Sequence, residues 1–158
     1  MSQTELAISR QTLTDFVTGL AAATPSPGSG AAGAVALALA AGCAAKAFAI
    51  SHKHAESRHL EQVLEQARSI ATIALEAAQR DGEDFRVWLK SQSARAVAAL
   101  EEDARILFSL CRELERLLDD HQSHVIESLD PDLRAARDLI AAAKAIEARN
   151  RDALHSKS

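Results

Sequence analysis

The hydrophobic residues at the start of the chain recur at helical spacing. Leu13, Phe16 and Leu20 share one face of a helix that we predict over Gln11–Ala22. A run of proline, glycine and serine at positions 24–30 ends this pattern, because these residues favour turns over helix. The chain is therefore expected to begin with a short amphipathic helix and a loop.

The next predicted helix, Ser29–Ile50, is apolar on nearly every side and carries no charge between Ala31 and Ala45. A helix of that kind is typical of the centre of a protein core. A membrane-spanning helix needs about 20 strongly apolar residues, and the alanines that dominate here are only weakly apolar. We therefore expect a buried central helix and no membrane span, followed by a turn at Ser51–His54.

The remaining apolar positions form three further helical patterns. They predict helices over Ser57–Ser91, Ala94–His121 and Asp130–Leu154. Asp130 and Pro131 are a favourable N-cap and first helical residue for the last of these. No alternation of apolar and polar residues is long enough to predict a β-strand. The last helix also carries charged residues that indicate a broad exposed face: Arg134, Arg137, Lys144, Glu147 and Arg149.

The composition agrees with an all-α fold. Of the 158 residues, 47% are hydrophobic but only 3% are aromatic, and 25% are charged. Alanine supplies much of the hydrophobic fraction, and it is the strongest helix former. We predict an antiparallel helical bundle of about five helices around an alanine-rich central helix, and the length suits one domain over residues 1–158.

Charge and cysteine content exclude several functional classes. The net charge of −4, with no basic run, does not favour binding to nucleic acid. The two cysteines, Cys43 and Cys111, form no disulfide framework and no zinc-binding spacing, so we expect reduced, buried thiols. The N-terminus lacks the charged and apolar regions of a signal peptide, and we expect a cytoplasmic location.

The loop before the second predicted helix is a candidate binding element. Pro27, Gly28, Ser29 and Gly30 lie where the helix presents unpaired N–H groups and a partial positive charge. Glycines there allow a ligand to approach the backbone, which suits a carboxylate, a phosphate or the polar edge of a heterocycle. The alternative is an ordinary turn between two helices.

Asp81 is a candidate acid or base on the third predicted helix. A carboxylate buried in a bundle has a raised pKa and suits proton transfer. The alternative is a solvated acidic face, since Glu83 and Asp84 follow closely. At about 1.5 Å per residue, antiparallel helices of the predicted lengths bring Gly28, Asp81 and Asn150 to the same end of the bundle.

Four segments together resemble a known family. Residues 24–30, with the sequence Thr-Pro-Ser-Pro-Gly-Ser-Gly ahead of a long alanine-rich helix, resemble the proline-glycine loop and helix of the cyclodeaminase family. Residues 13–16 resemble its first helix, and Asp81-x-Glu83-x-Phe85 resembles a family segment at a matching distance from the loop. Residues 132–133 and Asn150 resemble the last helix. This family comprises the C-terminal domain of formiminotransferase-cyclodeaminase and related methenyltetrahydrofolate cyclohydrolases.

The resemblance implies an all-helical, usually dimeric protein that acts on tetrahydrofolate derivatives. The cyclodeaminase converts 5-formimino-tetrahydrofolate to the 5,10-methenyl form and ammonia, and the cyclohydrolase interconverts the methenyl and 10-formyl forms. It implies that Asp81 is the acid or base and that the folate is the protein's small-molecule partner, with no metal involved. The substrate-binding residues it implies are Pro27, Gly28, Ser29, Gly30, Phe85 and Asn150.

Three departures from the family pattern keep a second function open. Ser29 stands where the family has a glycine, Ala31 stands where it has a serine, and the chain is shorter than a typical member. These differences fit a diverged, non-catalytic helical module that binds folate or another protein. A third hypothesis is hydrolysis of a different amidine or imine in the same pocket.

A group of histidines is expected at the opposite end from Asp81. His52, His54 and His59 lie near the end of one helix and the start of the next, where a positive charge interacts well with a helix C-terminus. Their spacing gives no set of metal ligands on one helical face. His121 and His124 are predicted to straddle a helix end, and the same interpretation applies to them.

Overall fold

A computed structural model describes residues 7–55 and 57–156, and most of these residues are helical. The five α-helices are α1 (Leu13–Ala21), α2 (Ser29–Ala55), α3 (Arg58–Ser91), α4 (Ala94–His121) and α5 (Asp130–His155). Short 3₁₀ turns at Ile8–Arg10, Gln122–His124 and Glu127–Leu129 complete the order, and the described residues contain no β-strand. The predicted all-α bundle is confirmed.

Helix α2 is the centre of the bundle and packs against α3 on one side and α5 on another. Its buried face is lined by alanines, and Leu37 and Phe48 are fully buried among them. Small side chains let the neighbouring backbones approach closely, which explains the weakly apolar composition of this helix. By length and composition α2 would also suffice to cross a membrane, a criterion that the core helix of a bundle commonly meets as well. More than half of its most apolar 18-residue stretch is buried inside the protein.

Serine and threonine side chains define the start of three helices. Thr12, Ser57 and Ser93 each accept a hydrogen bond from a backbone N–H in the first turn of α1, α3 and α4. Such N-caps satisfy donors that have no partner within the helix. The predicted bounds of α4 match the observed bounds at both ends, and those of α3 differ by one residue.

Two local predictions were wrong. Ser51–His54 is helical and not a turn, because the buried Ser51 hydroxyl accepts a hydrogen bond from the Ile126 N–H and this tertiary contact extends α2. Asp130 is not the N-cap of α5 but its first residue, where it forms an ion pair with Arg134. Leu129 occupies the capping position without a side-chain hydrogen bond.

Candidate active site

A cavity of about 250 Å³ lies at the end of the bundle where α2 begins. Helix α3 reaches it with its last three turns, and α5 reaches it with its C-terminal third. The antiparallel course of the long helices thus brings together segments that are far apart in sequence. The lining consists of Gly28, Ser29, Gly30, Asp81, Phe85, Trp88, Leu100, Glu147, Asn150, Ala153 and Leu154.

Asp81 lies against the first turn of α2. Its carboxylate accepts a hydrogen bond from the Ala31 N–H, one of the donors left free at a helix N-terminus. A Cβ placed on Gly30 would overlap the same carboxylate, so only glycine leaves room for it at this position. The loop sequence is therefore matched to Asp81, and part of the predicted anion-binding capacity of α2 is taken up by this side chain.

Burial sets the protonation of Asp81. Desolvation is the largest influence and raises the pKa of this carboxyl from 3.8 to about 6, with the negative charge of Asp84 adding to it. The Ala31 hydrogen bond opposes both by stabilising the ionised form. A carboxyl with a pKa near the working pH can both accept and return a proton.

Ser29 and Asn150 join the two sides of the cavity mouth. The Ser29 hydroxyl donates a hydrogen bond of 2.8 Å to the Asn150 Oδ1, which connects the start of α2 to the last turns of α5. Both residues line the cavity, as do Gly28 and Gly30. The carboxamide nitrogen of Asn150 remains able to donate a hydrogen bond to a ligand.

Phe85 and Trp88 form an aromatic wall. Their rings are stacked, with centroids 5.5 Å apart and planes inclined by 30°. Leu100 of α4 and Leu154 of α5 extend the apolar surface around them. A wall of this kind suits a planar heteroaromatic ring. Sequence analysis missed Trp88, although its spacing of three from Phe85 and seven from Asp81 places all three on one helical face.

Glu147 is the most unexpected residue of the cavity. Sequence analysis assigned it to the exposed face of the last helix, which was wrong: only 7% of the residue is exposed. Burial, and after it the charges of Asp81 and Asp103, raise the pKa of its carboxyl from 4.5 to about 7, against an opposing effect of Arg151. A signal did exist, because the buried residues of α5 follow alternating steps of three and four: Leu133, Ala136, Ile140, Ala143 and Glu147.

Comparison with known proteins identifies the family. The family profile described as formiminotransferase-cyclodeaminase matches residues 12–155, which is nearly the whole chain. The chain belongs to the formiminotransferase-cyclodeaminase family. Among solved structures, the formiminotetrahydrofolate cyclodeaminase of Thermotoga maritima superposes with a TM-score of 0.85 and is 22% identical, covering 95% of this chain and 81% of that one. This similarity shows the fold. No curated protein matches the chain significantly.

Pro27 is the predicted binding residue that does not line this cavity. It follows a cis peptide bond after Ser26 and lines a small neighbouring cavity with Gly82 and Arg86. The proline ring packs near Gly19 of α1, where a Cβ would lie 3.2 Å from the proline Cδ. Pro27 therefore lies near the first helix, whereas Gly28 and Gly30 line the larger cavity.

The histidines lie far from Asp81, near the end of α2 and the start of α3. His59 Nε2 is 3.1 Å from His121 Nδ1, and the His124 ring lies 6.0 Å from that of His59. Burial and the neighbouring His59 lower the pKa of His121. The described ranges contain no group of three or more histidine, cysteine or acidic side chains placed to hold a metal ion.

Of the two thiols, Cys111 is buried and Cys43 partly so, and both are free.

Proposed function

We propose that the protein acts on the one-carbon unit of a tetrahydrofolate derivative, as a cyclodeaminase or cyclohydrolase, with Asp81 as the acid and base. One observation carries this proposal: a carboxyl with a pKa of about 6 lines a cavity beside the first turn of α2. Membership of the formiminotransferase-cyclodeaminase family supports the folate as substrate.

The proposed chemistry needs one group that takes up a proton and then returns it. In the cyclodeaminase reaction, folate N10 attacks the carbon of the protonated, amidinium form of the formimino group on N5, and the Asp81 carboxylate accepts the proton that N10 loses. The tetrahedral intermediate then expels its exocyclic nitrogen, which receives that proton from Asp81 and leaves as ammonia. The product is the 5,10-methenyl cation, whose positive charge an ionised carboxylate nearby would stabilise. In the cyclohydrolase reaction, water replaces N10 as the nucleophile and attacks the methenyl carbon.

The shape of the cavity supports a ring-sized ligand. Pockets for drug-sized molecules measure about 300–1,000 Å³, and this one is slightly smaller. In our proposal the pteridine ring stacks on Phe85 and Trp88, and Asn150 offers a hydrogen bond to its polar edge. Gly28, Ser29 and Gly30 bound the mouth, through which the rest of the folate would extend.

The test is an absorbance assay for 5,10-methenyl-tetrahydrofolate with the wild type and Asp81→Asn. Loss of a general acid or base costs about 10²–10⁴-fold in rate, and we expect a loss in that range. Asp138→Asn, which changes an exposed aspartate on α5, is the matched control and should retain the wild-type rate. Equal rates in Asp81→Asn and the wild type would remove Asp81 from the mechanism.

A non-catalytic folate-binding module is the second candidate. The hydrogen bond between Ser29 and Asn150 favours it, because a side chain stands at the mouth where a family glycine would leave open space. Calorimetry with 5-formyl-tetrahydrofolate separates the two: binding without turnover of the formimino or methenyl substrates supports the module. If the wild type turns over substrate and the Ser29→Gly variant does so faster, the enzyme is supported.

A homodimer in the cytoplasm remains part of the proposal. Helix α2 exposes 54% of Leu39, and Gly42 beside it has open space around its Cα, so a second copy could pack closely there. Light scattering should give twice the monomer mass, and Leu39→Glu should reduce it to that of the monomer. The net charge of −4 argues against nucleic acid as a partner.

A further inference from the structure

Glu147 is a buried acidic residue of the cavity lining. Only 7% of it is exposed, and it shares the cavity lining with Asp81. Within residues 7–55 and 57–156, no lysine or arginine forms an ion pair with its carboxyl. Burying an uncompensated carboxylate is unfavourable, so packing alone would favour an apolar residue at this position.

The helices packed around Glu147 add negative charge. Helix α3 contributes Asp81 and Asp84, and α4 contributes Asp103, which is hydrogen bonded to Asp84 and lies 3.3 Å from the Arg80 Nε. Helix α2 contributes no charge at this end. The Asp103 Oδ2 has no hydrogen-bond partner and is buried. Repulsion from Asp81 and Asp103 therefore acts on Glu147 from two sides.

The charged neighbours on α5 offset this only in part, because the positive charge of Arg151 lowers the pKa of Glu147 while burial, Asp81 and Asp103 together raise it more. Lys144 bonds both carboxylate oxygens of Glu115, and the exposed Arg151 lies over the ring of Phe108 at 5.8 Å. The buried Cys111 thiol stays neutral, since burial raises its pKa to about 12. The cavity lining thus includes two carboxyl groups, Asp81 and Glu147, and no lysine or arginine.

We propose that Glu147 is a specificity-determining residue that, together with Asp81, selects a cationic amidinium group at the folate one-carbon unit over its neutral formyl counterpart. This inference rests on the proposed function, because it concerns the same substrate class. It favours the formimino substrate, and with it the cyclodeaminase reaction.

The two ligands to be distinguished have the same shape. The formimino group carries a nitrogen where the formyl group carries an oxygen, and an amidine is basic enough to be protonated near neutral pH. A positive charge close to two partly desolvated carboxylates gains Coulomb energy, whereas a neutral amide gains none. At neutral pH, Glu147 is already ionised in part of the wild-type molecules. A bound cation would favour its ionisation in the others, with release of a proton.

Stopped-flow fluorescence of Trp88, the single tryptophan, would measure binding before turnover begins. Wild type and Glu147→Gln are titrated with 5-formimino- and 5-formyl-tetrahydrofolate. We expect Glu147→Gln to lose at least about tenfold in affinity for the formimino ligand and to change less than about twofold for the formyl ligand. Glu76→Gln, an exposed glutamate on α3, is the control and should bind both ligands like the wild type.

A wild-type measurement keeps the test independent of how the variant folds. Affinity for the formimino ligand should rise between about pH 6 and pH 8 as Glu147 ionises, and affinity for the formyl ligand should not. Parallel pH profiles for the two ligands, or equal losses of affinity for both in Glu147→Gln, overturn the proposal that Glu147 selects the cationic ligand. The proposed function still stands in that case if turnover persists. If neither folate changes the fluorescence and no turnover occurs, both proposals fail.

Discussion

The carboxylate of Asp81 lies directly against the Cα of Gly30, with no room for a side chain between them. One residue belongs to the loop that begins α2, and the other lies near the C-terminal end of α3. The hydrogen bond from the Ala31 N–H depends on this close approach. The glycine is thus required for the position of Asp81, in addition to any contact with a ligand.

Gly30→Ala should therefore reduce activity without unfolding the protein. The added methyl would meet the end of a rotatable side chain, so Asp81 can turn away into the cavity while the helices stay in place. It would lose the Ala31 hydrogen bond, and we expect kcat/KM to fall by about 10²-fold, as for other displaced catalytic groups. The methenyl absorbance assay and a circular dichroism melt measure the two effects.

Gly33→Ala is the matched control for that substitution. It also adds a methyl to a buried glycine of α2, but the methyl meets Ile146 at 3.3 Å and not Asp81. We expect activity within about twofold of the wild type and a change in unfolding free energy of about 1 kcal/mol. Similar activity losses in both variants would attribute the effect to general packing of α2.

The pH dependence of the reaction should report two ionisations. A carboxylate acts as a base only when ionised, so kcat/KM for the formimino substrate should rise through a pKa of about 6 for Asp81. A second rise through about 7 should follow as Glu147 ionises. Glu147→Gln should keep the first and lose the second, because Glu147 is still neutral when Asp81 loses its proton. Initial rates between about pH 5 and pH 9 measure both, and a single rise in the wild type contradicts the assignment.

The stability of the fold should decrease as pH rises. Glu147 binds its proton more tightly in the folded state than in the unfolded state, so folding loses free energy as pH rises from about 4.5 through 7. A pKa change of this size corresponds to at most about 3 kcal/mol. Glu147→Gln should melt at a higher temperature than the wild type at about pH 8 and at the same temperature at about pH 4. Glu76→Gln should follow the wild type. If the difference in Tm between Glu147→Gln and the wild type does not change with pH, Glu147 is not buried.

Trp88 should report on occupancy of the cavity. It stacks on Phe85 and lines the cavity, so a folate ring placed against it should quench its fluorescence. Trp88→Leu should weaken folate binding by about ten- to a hundredfold, because an aromatic stacking partner contributes about 1–3 kcal/mol. Calorimetry measures this variant, which has no tryptophan. Unchanged affinity would place the ring elsewhere.

The sequence was sufficient for the fold and for the position of its main candidate residues. The helical spacing of apolar positions predicted five helices, and the observed N-cap Ser93 agrees with the predicted start of α4 at Ala94. The lengths of those helices brought Gly28, Asp81 and Asn150 to one end, where all three now line one cavity. Helix length is a local property, so it can be read before any contact is known.

The residues that sequence analysis misplaced depend on tertiary contacts. Glu147 has a residue type that favours solvent, and only the packing of α5 against its neighbours buries it. Ser51 looked like part of a turn because its hydrogen bond comes from Ile126, 75 positions away in the chain. Pro27 belongs to the loop that carries the glycines and lies near Gly19 of α1, and its role in binding stays a prediction.

The bond between Ser29 and Asn150 joins residues 121 positions apart. The cavity therefore cannot form before α5 has been synthesised, since α5 follows the other four helices in the chain and supplies one of its sides. Any molecule that binds between these helices can do so only after the ribosome has completed α5.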